Sequence, residues 1–448
     1  MNDDIGEIKN VERLGYEPIN KLLMEFSWPA IMGFISVALY EVIDRIIVGQ
    51  FVGSTGLTVM AIGMPTVIIL NALCIMLRAG VAALFSHTLG SGKYADINQL
   101  VGNIFMFAIL IGLALLLVVG SLAEQIVILC AASAEFVPNS MLYIRILAVG
   151  SIGLFVGNVA NVLMRALGKP KEGMRIIIGS VVLNTIFSVF FVIVMAKGVA
   201  GAALGTMLAQ TITGIYGIYH LRVYLNLRAL VPQWSIMRRC FFLGIPLASF
   251  ELNYMLCAVV LNNLLVYYGS DLDLASVPIF SSILNILFMP IAGLDEGAQV
   301  LIGYNYAADN LKRVRQIIKN VILIGIVFYT CSFAVVQLFA EQIVMIFEDT
   351  NPEFIAHAAR ICRIVLAVAP IMAIMHVVPG ILTALGDTRY NFTLSVVLEI
   401  AAQYPPLFIL PLFWGVDGVF AAFPVYDLIF ALAALALLYK SMRQKGII

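Results

Sequence analysis

The sequence predicts an all-α membrane protein: twelve transmembrane helices arranged as two parallel six-helix repeats. Three observations carry that reading. Of 448 residues, 62% are hydrophobic and only 12% charged, with a mean hydropathy of +1.01. A soluble domain carries about 25% charged residues, and its surface could not be built from half that. Apolar stretches of about 20 residues or more recur along the whole length, enough to cross a ~30 Å hydrocarbon core as helices. The second half of the chain also repeats the first at a steady offset.

Taken in order, the chain opens with a polar tail, MNDDIGEIKNVERLGYEP, that lacks a cleavable signal pattern, so the first span is expected to stay in the membrane. Polar and Gly/Pro breaks, such as SGK at 91–93 and GKPKEG at 168–173, then bound spans at 22–49, 57–86, 99–121, 137–164, 175–196 and 199–221. The longest internal loop, 222–239, leads into spans at 240–267, 274–304, 317–338, 354–382, 391–412 and 415–439. The predicted organisation is an N-terminal half over 1–221, a cytoplasmic linker over 222–239 and a C-terminal half over 240–448. No linker is long enough for a soluble domain.

The repeat falls on residues that leucine-rich helices would not match by chance. AEQIV occurs at 123–127 and again at 340–344, an offset of 217. At that offset Pro29 meets Pro246, Gly80 meets Gly297, Asn103 meets Asn320, and Gly198 meets Gly415. One residue further on, ALG at 166–168 meets ALG at 384–386. Six spans per half return the chain to its starting side, so the halves run parallel about an axis along the membrane normal, a plan used by secondary transporters.

Basic residues set the expected orientation. The side holding both termini receives Lys93, Arg165, Lys169, Lys171, Arg175, Arg222, Arg228, Arg238, Arg239, Lys312, Arg313, Arg315, Lys319, Arg389, Lys440, Arg443 and Lys445. The opposite loops receive Lys197 together with Glu124, Glu135, Asp271, Asp273, Glu341, Glu348 and Asp349. Both termini are therefore expected in the cytoplasm. The net charge of zero implies no nucleic-acid partner, and the six scattered cysteines read as small buried hydrophobes. His87, His220, His357 and His376 fall in separate segments without ligand spacing, so no enzyme is expected.

Charges inside the spans point to function, because each costs a few kcal/mol at mid-membrane. In LYEVIDRIIVG, residues 39–49, Glu41 and Arg45 are four apart and can pair on one helix face. Asp44, one turn from Tyr40, is left as a second acid against one base, with Arg78 the other candidate partner. A left-over carboxylate suits an exchangeable cation, a proton or sodium. The second half carries Glu251, the neighbours Asp295 and Glu296, Glu399 and Asp427 within its spans. Counted from the cytoplasmic span ends, Glu251, Asp295 and Glu399 each lie roughly 14–16 Å deep. They are expected to form an acidic layer that favours cationic ligands. Asp295 and Glu296 are about 100° apart on their helix, so one is expected to face the central cavity and the other a neighbouring helix. Aromatic and Met side chains, among them Phe288, Met289, Tyr304, Tyr306, Met372 and Met375, add surface for flat apolar cations.

Over nearly its whole length the chain resembles the multidrug and toxic compound extrusion (MATE) family. The resemblance rests on Pro29 followed by the Asp of VIDRIIVGQFVG, and on GVAALFSHTLGSGKYADI, RALGKPKEGM, GVAGAALGTM and MPIAGLDEGAQVLIGYNYAADN. It implies two lobes facing each other as a V and rocking between inward- and outward-open states, with organic cations exported in exchange for protons or sodium. It also implies a cation site at Asp44, Asn184, Ser188 and Thr206, with sodium held at Asp44 if sodium is the coupling ion. Ser188 stands where the family pattern has an Asp. Substrate contacts are expected from Glu251, Asp295, Glu296, Glu399, Tyr40 and Met289, in a monomer that needs no cofactor. A lipid-linked oligosaccharide flippase of related architecture is the alternative; its anionic diphosphate would want a basic cavity, whereas the in-span charge here is acidic.

Overall fold

The computed structural model describes residues 12–92, 97–130, 135–225, 232–347 and 351–448, apart from the side chains of Glu41, Ser54 and Asp271. The expected Glu41–Arg45 pair and the loop charges Lys93, Arg228, Glu348 and Asp349 lie outside that set. One lobe consists of α1 (Ile19–Phe51), α2 (Ser54–Gly90), α3 (Ile97–Ser121), α4 (Val137–Ala166), α5 (Pro170–Ser188, continuing as a π-helix over Val189–Val194) and α6 (Gly198–Leu221). The other consists of α7 (Trp234–Tyr268), α8 (Asp271–Ala307), α9 (Leu311–Met345), α10 (Pro352–Val365 and Ala369–Ala384), α11 (Thr388–Trp414, π-helical over Thr393–Leu398) and α12 (Val416–Gln444).

Ten of these helices, and α10 as a bent pair, are long and apolar enough to cross a membrane. The remaining one, α1, has 33 residues and is the repeat counterpart of α7. Two expectations change. The tenth span is not continuous but bends by 53° between its two segments. Pro370 is the second residue of the second segment and has no N–H to give to the turn before it, so the helical ladder breaks between Val365 and Ala369. The helix after the linker starts at Trp234, not at 240.

The repeat is structural as well as sequential. Shifted by 217 residues, α2 falls on α8 end for end. The short helix Ala123–Leu129, which opens on AEQIV, follows a break at Leu122; its counterpart continues α9 beyond a non-helical residue, Phe339. Gly168 and Gly386 sit at equivalent turns with φ of 76° and 69°, and Gly198 and Gly415 with φ of 60° and 55°. Those left-handed angles are where glycine is favoured.

The lobes cross each other through the same symmetry. Gly80 of α2 lies against the backbone of Cys240, and Gly244 of α7 against the backbone of Met76. On the opposite side Gly297 and Gly293 of α8 lie against Ser27 and Ile31 of α1. A Cβ at any of the four would collide with the facing helix; at Gly297 it would sit 2.8 Å from the Ser27 backbone nitrogen. Pro29 and Pro246, each inside its helix, mark the same level in α1 and α7, and a proline removes one backbone hydrogen bond there.

The N-terminal segment adds a strap that the polar composition of the tail did not foretell. Arg13 holds the first lobe, bonding Glu25 at 2.7 Å and Gly168 O at 3.1 Å. The carbonyls of Leu14, Gly15 and Glu17 accept from Asn305, Asn310 and Arg313 of the second lobe, and Leu14 is fully buried. Every described hydrogen bond and ion pair between the lobes falls in the half of the molecule that holds both termini. Towards the far end α1 presents Leu39, Val42 and Ile46, and α7 presents Tyr254, Leu256 and Val259, all exposed.

Candidate functional site

In the first lobe the four expected cation-site residues come together from three helices. Ser188 Oγ donates to Asp44 Oδ1 at 2.8 Å, joining α5 to α1. Asn184 Nδ2, one turn earlier on α5, donates to Thr206 Oγ1 of α6 at 2.8 Å, and Thr206 in turn donates to Ala202 O at 3.2 Å. Asp44, Asn184 and Ser188 are 8%, 4% and 0% exposed. Local sequence explains the close fit. Gly205 lets α6 approach so near that a Cβ there would stand 2.8 Å from the Ser188 nitrogen. Regular α-helix ends at Ser188 and π-helix begins at Val189, and π-helical turns occur often at functional sites. Tyr143 of α4, buried nearby, is a neighbour of Asp44 that no spacing argument identified.

Chemically this is one carboxylate among neutral hydroxyl and amide groups. No Lys, Arg or His among the described residues makes an ion pair with Asp44, and Arg78 is committed elsewhere. With Ser188 in place of a second acid the four residues carry a single formal charge. No group of three or more His, Cys, Asp or Glu side chains suited to a metal occurs among the described residues.

The acids of the second half go to different surroundings. Glu296 turns towards the first lobe, pairing with Arg78 of α2 through one oxygen and Arg165 of α4 through the other. The second-half acids are therefore not all short of basic partners, and Arg165 belongs to no loop: it is 4% exposed. Asp295 points into its own lobe, taking a 2.7 Å bond from Gln299 and lying against Gly380 of α10. Helix geometry that turns Glu296 across the lobe boundary turns Asp295 into its own lobe. Glu399 is 4% exposed between α7, α11 and α12, bonded by Asn253 Nδ2 at 3.0 Å. Glu251, Tyr40 and Met289 are half-buried.

Asn253, Gln403, Tyr404 and Tyr426, which surround Glu399, were missed by sequence reasoning. Their signal was weak but present: Gln403 stands one turn after Glu399, and Asn253 two residues after Glu251, each a polar residue in an apolar run.

The family model MatE matches residues 29–190 and again 246–404, one match in each lobe at the repeat offset. "Multidrug export protein MepA" of Staphylococcus aureus (strain N315) is 26% identical over 429 residues, spanning 94% of each chain. Its namesake in Staphylococcus haemolyticus (strain JCSC1435) is 25% identical over 433 residues, 95% of this chain and 94% of the other. Among solved structures, one described as the outward-facing conformation of a multidrug resistance MATE family transporter of the MOP superfamily superposes with a TM-score of 0.88 at 19% identity, covering 98% of both chains. A MOP superfamily transporter from Pyrococcus furiosus Vc1 (DSM3638), described as having a binding pocket of reverse polarity, gives 0.86 at 20% identity and the same coverage. With the family model matched on both halves of a doubled six-helix fold, the chain is a member of the MatE family.

Proposed function

We propose that the protein is a secondary active antiporter that exports organic cations from the cytoplasm in exchange for protons or sodium by alternating access. One observation carries the reading: Asp44, a carboxylate 8% exposed inside a membrane helix, is bonded by Ser188 and makes no ion pair among the described residues. An ionised carboxylate buried with no ion pair of its own is unfavourable, which suits a group that takes up a cation and gives it up again. The asymmetry of lobe contact supports the same reading, since lobes that touch in one half only can rock. The relatives' description as multidrug export proteins supports the substrate class.

In this scheme Asp44, Asn184, Ser188 and Thr206 bind the coupling ion, and Glu251, Tyr40 and Met289 meet the substrate between the lobes. Both termini lie in the cytoplasm, as the basic residues on their side argue, in a bacterial inner membrane. The test is a reconstituted transport assay with a fluorescent organic cation under imposed proton or sodium gradients. Accumulation driven by either gradient is expected; a protein that moves no cation against a gradient under either condition would overturn the reading.

A further inference from the structure

A groove of about 360 Å³ opens between α1 and α5 near the end of the molecule that holds both termini. Its walls are Trp28, Pro29 and Met32 of α1 and, from α5, Met174, Ile178 and two cations, Lys171 and Arg175; no residue of the other lobe lines it. The two helices run in constant register. Ser188 bonds Asp44 at an offset of 144 residues, and at the same offset a Cβ on Gly33 would stand 2.9 Å from the Ile177 side chain. Carried outward, that register sets Lys171 level with Ser27, next to Trp28, and Arg175 level with Ile31, one turn or about 6 Å further in.

The chemistry of the groove changes along its length. On α5, Lys171, Arg175, Ile178, Val182 and Ile186 share one stripe of the helix, and Val182 and Ile186 are exposed. On α1 the matching stripe is Trp28, Met32, Ile35 and Leu39, with Trp28 56% exposed. Two positive charges and an indole thus stand at one end, and an apolar track leads from them into the membrane. Lys171 is exposed and makes no ion pair among the described residues. Arg175, 65% exposed, is bonded by its helix neighbour Glu172 at 2.7 Å. An exposed pair of that kind is weak, and the guanidinium fork takes phosphate oxygens as readily as a carboxylate. Basic residues alone would only mark the cytoplasmic side of the bilayer. Here a hollow, an interfacial tryptophan and two cations on adjacent helices coincide, which is the make-up of a site for an anionic headgroup. The same charges repel an organic cation, so the groove is no part of the proposed export path.

We infer that this groove seats one phospholipid of net negative headgroup, with its phosphate on Lys171 and Arg175 and the Trp28 indole beside it. One acyl chain runs inward over Met32, Ile178 and Val182. The lipid belongs to the leaflet on the termini side, because both cations lie at that end of the groove. Seated there it bridges α1 and α5, the same two helices that Asp44 and Ser188 join further in. The site is separate from Asp44 and does not depend on which ion drives transport.

The test uses Trp28 as its own reporter. The chain has three tryptophans, so the full-length protein carrying Trp234→Phe and Trp414→Phe keeps Trp28 as its single indole. It is reconstituted in phosphatidylcholine bilayers and titrated with phosphatidylglycerol brominated on its acyl chains, or with phosphatidylcholine brominated in the same way. Bromine in contact with the indole quenches its fluorescence. Phosphatidylglycerol is expected to reach half-quenching at a bilayer fraction roughly tenfold lower than phosphatidylcholine, since two basic groups favour its headgroup. In the double variant Lys171→Gln/Arg175→Gln the two lipids are expected to quench alike, with thermal melting unchanged because both side chains are exposed. Equal quenching by the two lipids before those cations are removed overturns the inference, whatever the double variant does. So does a preference that survives in a double variant that melts normally. Inorganic phosphate is added in a further arm, against chloride at equal ionic strength. If phosphate abolishes the preference and chloride does not, the cations hold a free anion and the lipid assignment fails; a preference that persists in phosphate supports it.

Discussion

Glu296 of α8 reaches across the lobe boundary to Arg165 at the end of α4, and its other oxygen holds Arg78 of α2. One carboxylate thus ties two guanidiniums, and the Nε of each arginine is buried without a partner. Arg78 also lies over the Phe34 ring, 5.4 Å from its centroid. Breaking a buried ion pair by deleting one member costs about 3–5 kcal/mol, because the remaining charge is stranded. Glu296→Gln strands two. The variant is expected to melt at lower temperature and to part the lobes on the termini side. Spin labels at Gly92 and Asn310 would read this as a shift to longer distances; an unchanged distance distribution would show that the triad does not hold the lobes together.

Asp44 is the group on which coupling is expected to depend. Asp44→Asn keeps the shape and the possibility of a bond with Ser188 but removes the charge. Gradient-driven transport should be lost with expression and melting intact. Uphill transport by this variant would remove Asp44 from the coupling machinery. Ser188→Asp, which adds a second acid where Ser188 Oγ now lies 2.8 Å from Asp44, is expected to strengthen the dependence on sodium.

The glycine crossings predict a symmetric pair of failures. Gly244→Val and Gly297→Val each force a side chain against the backbone of the facing lobe. Overpacking of this kind costs about 1–3 kcal/mol. Both should favour the conformation in which the termini side is open, raising the labelling of a cysteine placed at Met76 or Ser27 respectively. Valine at Gly53, where no atom lies within 4 Å, is a contrasting case: the space is free but φ is 83°, so the cost there is backbone strain.

The strap around Leu14 predicts that the N-terminal segment acts on transport. Arg13→Ala cuts the bonds to Glu25 and Gly168 while leaving those from Asn305 and Arg313 in place. A bidentate pair of this partly exposed kind is worth about 1 kcal/mol or less. Turnover should therefore rise modestly if opening of the termini side limits the cycle, with little change in melting temperature. A fall in turnover with equal stability would mean that the strap is needed closed.

Topology is open to direct labelling. Cysteines replacing Lys171 and Glu124, both exposed, should react from opposite sides of the membrane, Lys171 from the cytoplasm. Reaction of both with an impermeant reagent added outside would contradict the parallel-repeat arrangement.

The sequence by itself determined the class, the twelve helices and the doubling, because these follow from quantities written along the chain. Apolar run length fixes what can span a bilayer, and Gly, Pro and Asn repeated at 217 mark equivalent positions whatever their contacts. It also named the residues of the Asp44 cluster, through what the chain's resemblance to its family implies. Only the tertiary structure decided which acids are free. Asp295 and Glu296 are neighbours in sequence, yet one faces Gly380 in its own lobe and the other faces two arginines more than a hundred residues away. Arg165 reads as a loop charge until α4 carries it to the lobe boundary, and Pro370 reads as one proline among many until it breaks α10. The reason is physical: burial and run length add up residue by residue, whereas the fate of a charge depends on which partner from a distant segment arrives within about 3 Å of it.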